Sequence, residues 1–237
     1  MAEEPVRLAK RVAALAACSR SEAEQLIDGG WVRVDGVVVT QPQHRVAGER
    51  VEIDPAARLQ APLPVTLLLH QPPGLSATQT LALLQPAHQA SGDPSGIRPL
   101  PRHFKGLQEL LALPAGATGL AVFSQDGRIV RKLTEDAALV EQEVVAQVMG
   151  QIAPDGLARL GHGLAWQGRP LPPVKVSWQN EDRLRFALKG VMPAQVGWMC
   201  AQVGLQLRGL KRLRVGRVPL AGLPAGQWRY LPDGLRF

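Results

Sequence analysis

Between residues 55 and 64 the chain reads PAARLQAPLP, three prolines in ten residues with no hydrophobic periodicity. Proline fixes φ and removes a backbone donor, so neither a helix nor a central strand can run through such a stretch. It reads as a linker. It divides the 237 residues into a first domain at 1–54 and a larger one at 65–237, and the chain is long enough to enclose a real core.

In the first part, VRLAKRVAALAACSRSEAEQLI places Val6, Leu8, Val12 and Leu15, then Ala23, Leu26 and Ile27, at helical spacing. Two short helices with a break near Cys18–Ser19 follow from it. Ser19 caps the second helix, Glu22 three residues on completes a capping box, and Gly29–Gly30 ends it. WVRVDGVVV then holds two β runs around Asp35–Gly36, a strong hairpin signal. RVAGERVEID reads as a last strand with its own turn at Ala47–Gly48.

Beyond the linker, VTLLLH (65–70) is a buried-strand run stopped by QPPG, and 79–85 is a short helix. Residues 86–106 are rich in Pro, Gly, Ser and His and read as a long loop. GLAVFS (119–124) and EVVAQVM (143–149) are strands, and 127–134 is a helix. VKVSWQ and RLRFALK alternate in the β manner around residues 180–182 and form a hairpin. Pro193–Val203 is a helix, and the tail after Gly204 returns to strands. Strands and helices mix without a regular βαβ repeat, so the fold class is α+β.

Lys and Arg total 27 against 20 Asp and Glu, a net charge of +7. Residues 1–54 carry seven basic against nine acidic side chains, so the remainder holds +9. A field of one sign attracts polyanions. Two cysteines, Cys18 and Cys200, cannot make a disulfide framework or a zinc finger and read as small buried hydrophobes in a reducing, cytoplasmic setting. No apolar run approaches the ~18–20 residues that span a bilayer, and MAEEPVRLAKR has no apolar core of a signal peptide. His70, His88, His103 and His162 show no metal-ligand spacing, and the glycine-containing loops match no nucleotide fingerprint, so neither metal nor cofactor is expected.

The motifs carry a resemblance. RLAKRVAALAACSRSEAEQLIDGGWVRVDG resembles the S4 RNA-binding domain, in which a helix pair and a hairpin present basic side chains to structured RNA. LLLHQPPG, GLAVFSQDGRIVRKLT, EQEV, PAQVGWMCAQVG and LKRLRVGRVPLAGLPAGQWRYL resemble, in order and spacing, the RsuA-type bacterial pseudouridine synthases. The resemblance implies a small N-terminal S4 domain followed by a mixed, largely antiparallel sheet of the pseudouridine synthase type. It implies RNA as partner, ribosomal RNA first, bound by a monomer. Arg7, Lys10, Arg11, Ser19, Arg20 and Arg33 are the expected RNA contacts of the first domain, and Lys211, Arg212 and Arg214 those of the second, with Arg212 and Arg214 on one strand face by period 2.

In that family an Asp attacks a uridine flipped from the stack. Its position here is Pro114, in Ala112-Leu113-Pro114-Ala115, and proline is neither nucleophile nor acid nor base. The family's base-stacking Tyr is Val144, the Arg that pairs with the catalytic carboxylate is Gly197, and a further basic position is Gln71. The only tyrosine, Tyr230, lies far along the chain and cannot fill the stacking position. Trp198 stands beside the former pocket as a space-filler. Of the acids nearby, Asp93 reads as solvated, Asp126 as a turn residue, and Glu109, five residues before Pro114, is the least implausible substitute. Three readings follow: an RNA binder that has lost uridine isomerisation, an active synthase with a displaced carboxylate, and a protein-interaction scaffold.

Overall fold

The computed structural model describes residues 4–57 and 63–237, so residues 58–62 of the expected linker lie outside the described part. It forms two compact units, Met1–Pro64 with Arg98–Lys105, and Val65–Ile97 with Gly106–Phe237.

In the first unit, β1 (Val6–Arg7) leads into α1 (Leu8–Leu15), and α2 (Arg20–Asp28) follows. The backbone N–H of Glu22 donates to Ser19 Oγ at 3.2 Å and that of Ser19 to Glu22 Oε2 at 2.8 Å, the reciprocal box read from the sequence. β2 (Val32–Val34) and β3 (Val37–Val38) form the hairpin across Asp35 (φ 48°) and Gly36 (φ 80°), the two positive φ values a type I′ turn needs. The region read as one strand is two: β4 (Arg45–Val46) pairs with β1, and β5 (Val51–Ile53) pairs with β2. Leu8, Val12, Ala23, Ile27 and Val32 close the core. Cys18 is only half-buried against it, not enclosed as the sequence suggested.

Segment 98–105 completes this unit. Leu100 is buried over Gly30, where a Cβ would lie 2.8 Å from Leu100 Cδ2 and where φ is +72°. Only glycine meets both demands. Burial raises the Asp28 carboxyl above its usual range, with the charges of Arg102 and Lys105 drawing it back.

In the second unit come β6 (Thr66–Gln71), α3 (Ala77–Ala82), β7 (Gln108–Leu110), β8 (Thr118–Ser124), α4 (Gly127–Thr134) and β9 (Gln142–Gly150). They are followed by α5 (Gly156–Gly161), the short hairpin β10 (Ala165–Trp166) and β11 (Arg169–Pro170), β12 (Lys175–Asn180), β13 (Arg183–Leu188) and α6 (Val196–Ala201). β14 (Leu205–Val215), β15 (Val218–Pro219) and β16 (Trp228–Tyr230) finish the chain. The main sheet runs β12-β13-β9-β14-β8-β6-β16, with β15 on β14 and β7 on β8. Every pairing is antiparallel except β14 with β8, a two-residue parallel junction of Lys211 with Thr118 and Arg212 with Gly119. That junction joins the halves of the sheet. Each half buries its own core: Val144, Ala146, Leu184, Phe186 and Leu210 beneath α5 and α6, the latter contributing Met199, and Leu68, Leu120, Val122 and Val215 beneath Leu133 of α4.

Residues 86–106 are more ordered than a composition of Pro, Gly and Ser suggests. Single 3₁₀ turns form at Pro86–His88 and Pro101–Phe104, and the Ala90 N–H donates to Trp228 O at 2.8 Å. Asp93 is not solvated as expected. Its carboxylate accepts from Gln89 Nε2, Ser95 N and Tyr230 N. Burial pushes its pKa up, and those hydrogen bonds outweigh burial and hold it below the ordinary value.

Candidate functional site

Two places concentrate chemistry. The first is a groove of about 540 Å³ in the first unit, lined by Arg7, Lys10, Arg20 and Arg45 among small apolar residues, with Glu4 the one acid. The two helix starts and the β1–β4 pair build it. Arg7 sits opposite Arg45 in the strand register, and α1 begins immediately after Arg7, so Lys10 rises one turn on. Arg45 is held by donating from Nη1 to Pro5 O at 3.3 Å. Arg20 forms an exposed pair with Glu24 at 3.0 Å, which costs little to open.

Of the residues expected to touch RNA, the groove gathers Arg7, Lys10 and Arg20. Arg11 and Ser19 are not in its lining, and Ser19 spends its oxygen on the helix cap. Arg33 lies on β2 opposite Glu52, away from the groove. Arg45 was missed by the sequence reading because its signal is tertiary: β1 is two residues long, and only its pairing with β4 brings Arg45 beside Arg7.

The second place is a row across the sheet junction. Gln71 pairs with Gly119, Gly119 with Arg212, and Arg212 with Val144. Three of the positions that the sequence singled out, Gln71, Arg212 and Val144, therefore fall on one line. Val144 is fully buried, and Ala117 and Leu113 pack in the same apolar cluster. Pro114 opens a tight turn in which the Ala117 N–H donates to Pro114 O at 3.0 Å. Gly197 lies in α6, where a Cβ would be 3.3 Å from Leu207 Cδ2. Trp198 packs edge-on against Trp166 with ring centres 4.8 Å apart.

Arg212 does not line an RNA groove. It is 1% exposed. Its Nε donates to Leu120 O at 2.7 Å and its Nη1 to Leu111 O and Gln142 Oε1. A bulge between Arg212 and Arg214 breaks the period-2 alternation, so the two do not share a face as expected. Arg214 instead pairs with Glu143 at 3.2 Å and with Glu141. Burial lowers the Arg212 pKa to about 10, with the charge of Glu109 drawing it back up, so the guanidinium remains charged at neutral pH. Its Nη2 and the Gln71 Oε1 are buried without a hydrogen-bond partner among the described residues.

The row therefore offers a buried cation and an amide but no acid at the turn. Glu143, next to Val144 in sequence, points to the other side of the sheet, toward Arg185 and Arg214. Glu109 is exposed on β7 opposite Phe123. Among the described residues, no three His, Cys, Asp or Glu gather as a metal would require, and no helix is long and apolar enough to cross a membrane.

Residues 6–51 match the S4 domain family. Over 232 residues the chain is 28% identical to an uncharacterized RNA pseudouridine synthase of Aquifex aeolicus (strain VF5), covering 96% of this chain and 93% of that one. It is 26% identical to the dual-specificity RNA pseudouridine synthase RluF of Salmonella typhi, covering 98% and 78%. It is 27% identical to the ribosomal large subunit pseudouridine synthase B of the same organism, covering 90% and 75%. A crystal structure of a pseudouridylate synthase shares the fold with a TM-score of 0.59 at 19% identity over 96% of both chains.

Proposed function

We propose that this member of the RsuA-type pseudouridine synthase family binds structured RNA, ribosomal RNA in the first instance, and does not isomerise uridine. One observation supports the loss of chemistry: the turn that would hold the nucleophile begins with Pro114, and Leu113 and Ala117 beside it in sequence belong to an apolar cluster. A nucleophile must sit within a fraction of an ångström of its target, and neither proline nor its neighbours Leu113 and Ala115 has a nucleophilic group. The former stacking position, Val144, belongs to the core. A cationic groove in the first unit, together with a core-bound Val144 in the second, is what a protein kept for binding requires.

Recognition proceeds through phosphates. Arg7, Lys10, Arg20 and Arg45 neutralise backbone charge and set the orientation of the RNA. The setting is the cytoplasm, where ribosomal RNA is found and where two unpaired thiols persist. The experiment is filter binding of total bacterial ribosomal RNA against salt. For a protein that neutralises several phosphates, log K falls steeply with log salt. Lys10→Glu with Arg45→Glu is expected to weaken binding at least tenfold. Wild-type protein that fails to bind at low salt refutes the reading.

A second reading keeps one observation of its own. Glu109 is the acid whose charge acts on buried Arg212. An active enzyme would use it as a displaced nucleophile. Pseudouridine formation that is present in the wild type and abolished by Glu109→Gln would select this reading.

A further inference from the structure

Among the described residues of the second unit, the half-sheet β12-β13-β9-β14 carries its helices on one side. Helices α5 and α6 pack over Leu184, Phe186, Val144, Ala146 and Leu210. The opposite side carries Ser177, Arg185, Val145 and Lys211 in one cross-strand row, with Lys175, Ala187, Glu143 and Arg214 in the next and Arg183, Gln147 and Gly209 flanking them. Arg208, at the bulge, lies over Met149. Six cations therefore stand on this face against Glu141, Glu143 and Asp182. Glu143 is shared by Arg185 and Arg214, and Asp182 accepts from Gln147 and lies 3.9 Å from Arg183. Lys175, Arg183 and Arg208 are exposed, and Lys211 is half-exposed.

We infer that this face is a second RNA phosphate-binding surface, on the side of the sheet opposite the Gln71–Gly119–Arg212–Val144 row. It rests on the RNA-binding reading and extends it to the larger unit. Charge complementarity and composition select the occupant. A protein partner would want an apolar or aromatic centre with charges depleted. The apolar side chains of this face are Ala187, Val145 and Met149, set among its cations, and protein–nucleic acid interfaces are more polar and far more positive. Ala187, Ser177 and Gly209 keep the centre low. Strands ~4.8 Å apart and alternate residues ~6.7 Å apart spread the long cationic side chains where a sugar–phosphate backbone can track across them. The bulge that sends Arg212 into the interior leaves Lys211 and Arg214 together on this side.

The test is filter binding of the full chain to total bacterial ribosomal RNA over a potassium chloride series. Lys175→Gln/Arg183→Gln/Lys211→Gln neutralises the face at exposed or half-exposed positions, and its melting temperature is expected to match wild type. The variant is expected to bind about tenfold more weakly, with the salt slope reduced in magnitude by about 2–3, at ~0.7–0.9 per lost phosphate contact. An unchanged slope and affinity, while Lys10→Glu/Arg45→Glu still weakens binding, overturns this inference alone. Absence of wild-type binding overturns the RNA reading and this one with it. Poly-L-glutamate binding that the triple variant loses while RNA binding persists assigns the face to an acidic protein and also overturns it.

Discussion

Gly119→Ala should open the sheet at its centre. Gly119 has φ +108°, which L side chains rarely adopt, and a Cβ there would lie 2.2 Å from the Arg212 carbonyl oxygen and 2.7 Å from its nitrogen. Those are backbone atoms of β14, so no rotamer change relieves the clash. Restoring ordinary contact moves β14 by more than an ångström. The parallel junction of β8 with β14 has only two residue pairs, Lys211 with Thr118 and Arg212 with Gly119 itself. The unfavourable φ costs ~1–3 kcal/mol and the overpacking a similar ~1–3 kcal/mol, so about 4 kcal/mol is expected. For a chain of this size that lowers the melting temperature by about 8–16 °C. Tryptophan fluorescence follows the transition, since Trp228 is fully buried in the same sheet. Gly209→Ala is the matched control, because its Cβ would meet only Gln147 side-chain atoms at 3.8 and 3.9 Å. A Gly119→Ala protein melting within about 2 °C of Gly209→Ala would refute the reasoning.

Ser19→Ala removes the oxygen that caps α2 and is expected to cost about 1 kcal/mol, read from urea midpoints. His103 is 4% exposed, and burial lowers its pKa to about 4, with Arg102 adding to the effect. A histidine depressed in the folded state is protonated first in the unfolded chain, so stability falls as pH drops from about 6.5 to about 4 and then levels. The loss is of order 3 kcal/mol, and His103→Gln should flatten that part of a stability–pH curve.

Local chemistry made much of the fold legible. Ser19 with Glu22, Asp35 with Gly36, and the alternation of RLRFALK each need only neighbours in sequence, and each element formed where its residues required. The segment at 86–106 was opaque because its order comes from partners far along the chain: Trp228 receives Ala90, and Tyr230 donates to Asp93. Arg212 was misjudged for a similar reason. Period 2 holds only while a strand stays in register, and one bulged residue against β9 sends Arg212 inward and Arg214 outward. The reading of the site fared differently by position. Pro114, Val144 and Gln71 came from matching positions to the family's motifs, which the geometry neither adds to nor removes. Arg45 depended on a two-residue strand pairing that no local pattern announces.

The central claim is that the turn at Pro114 carries no isomerisation. The direct measurement is tritium release from 5-tritiated uridine in bacterial ribosomal RNA, taken from a strain lacking this protein and incubated with the purified full chain at a salt concentration where it binds. No release above background is expected, alongside retained RNA binding. Stoichiometric or catalytic release by the wild-type protein, lost in a single acid-to-amide variant such as Glu109→Gln, would contradict it.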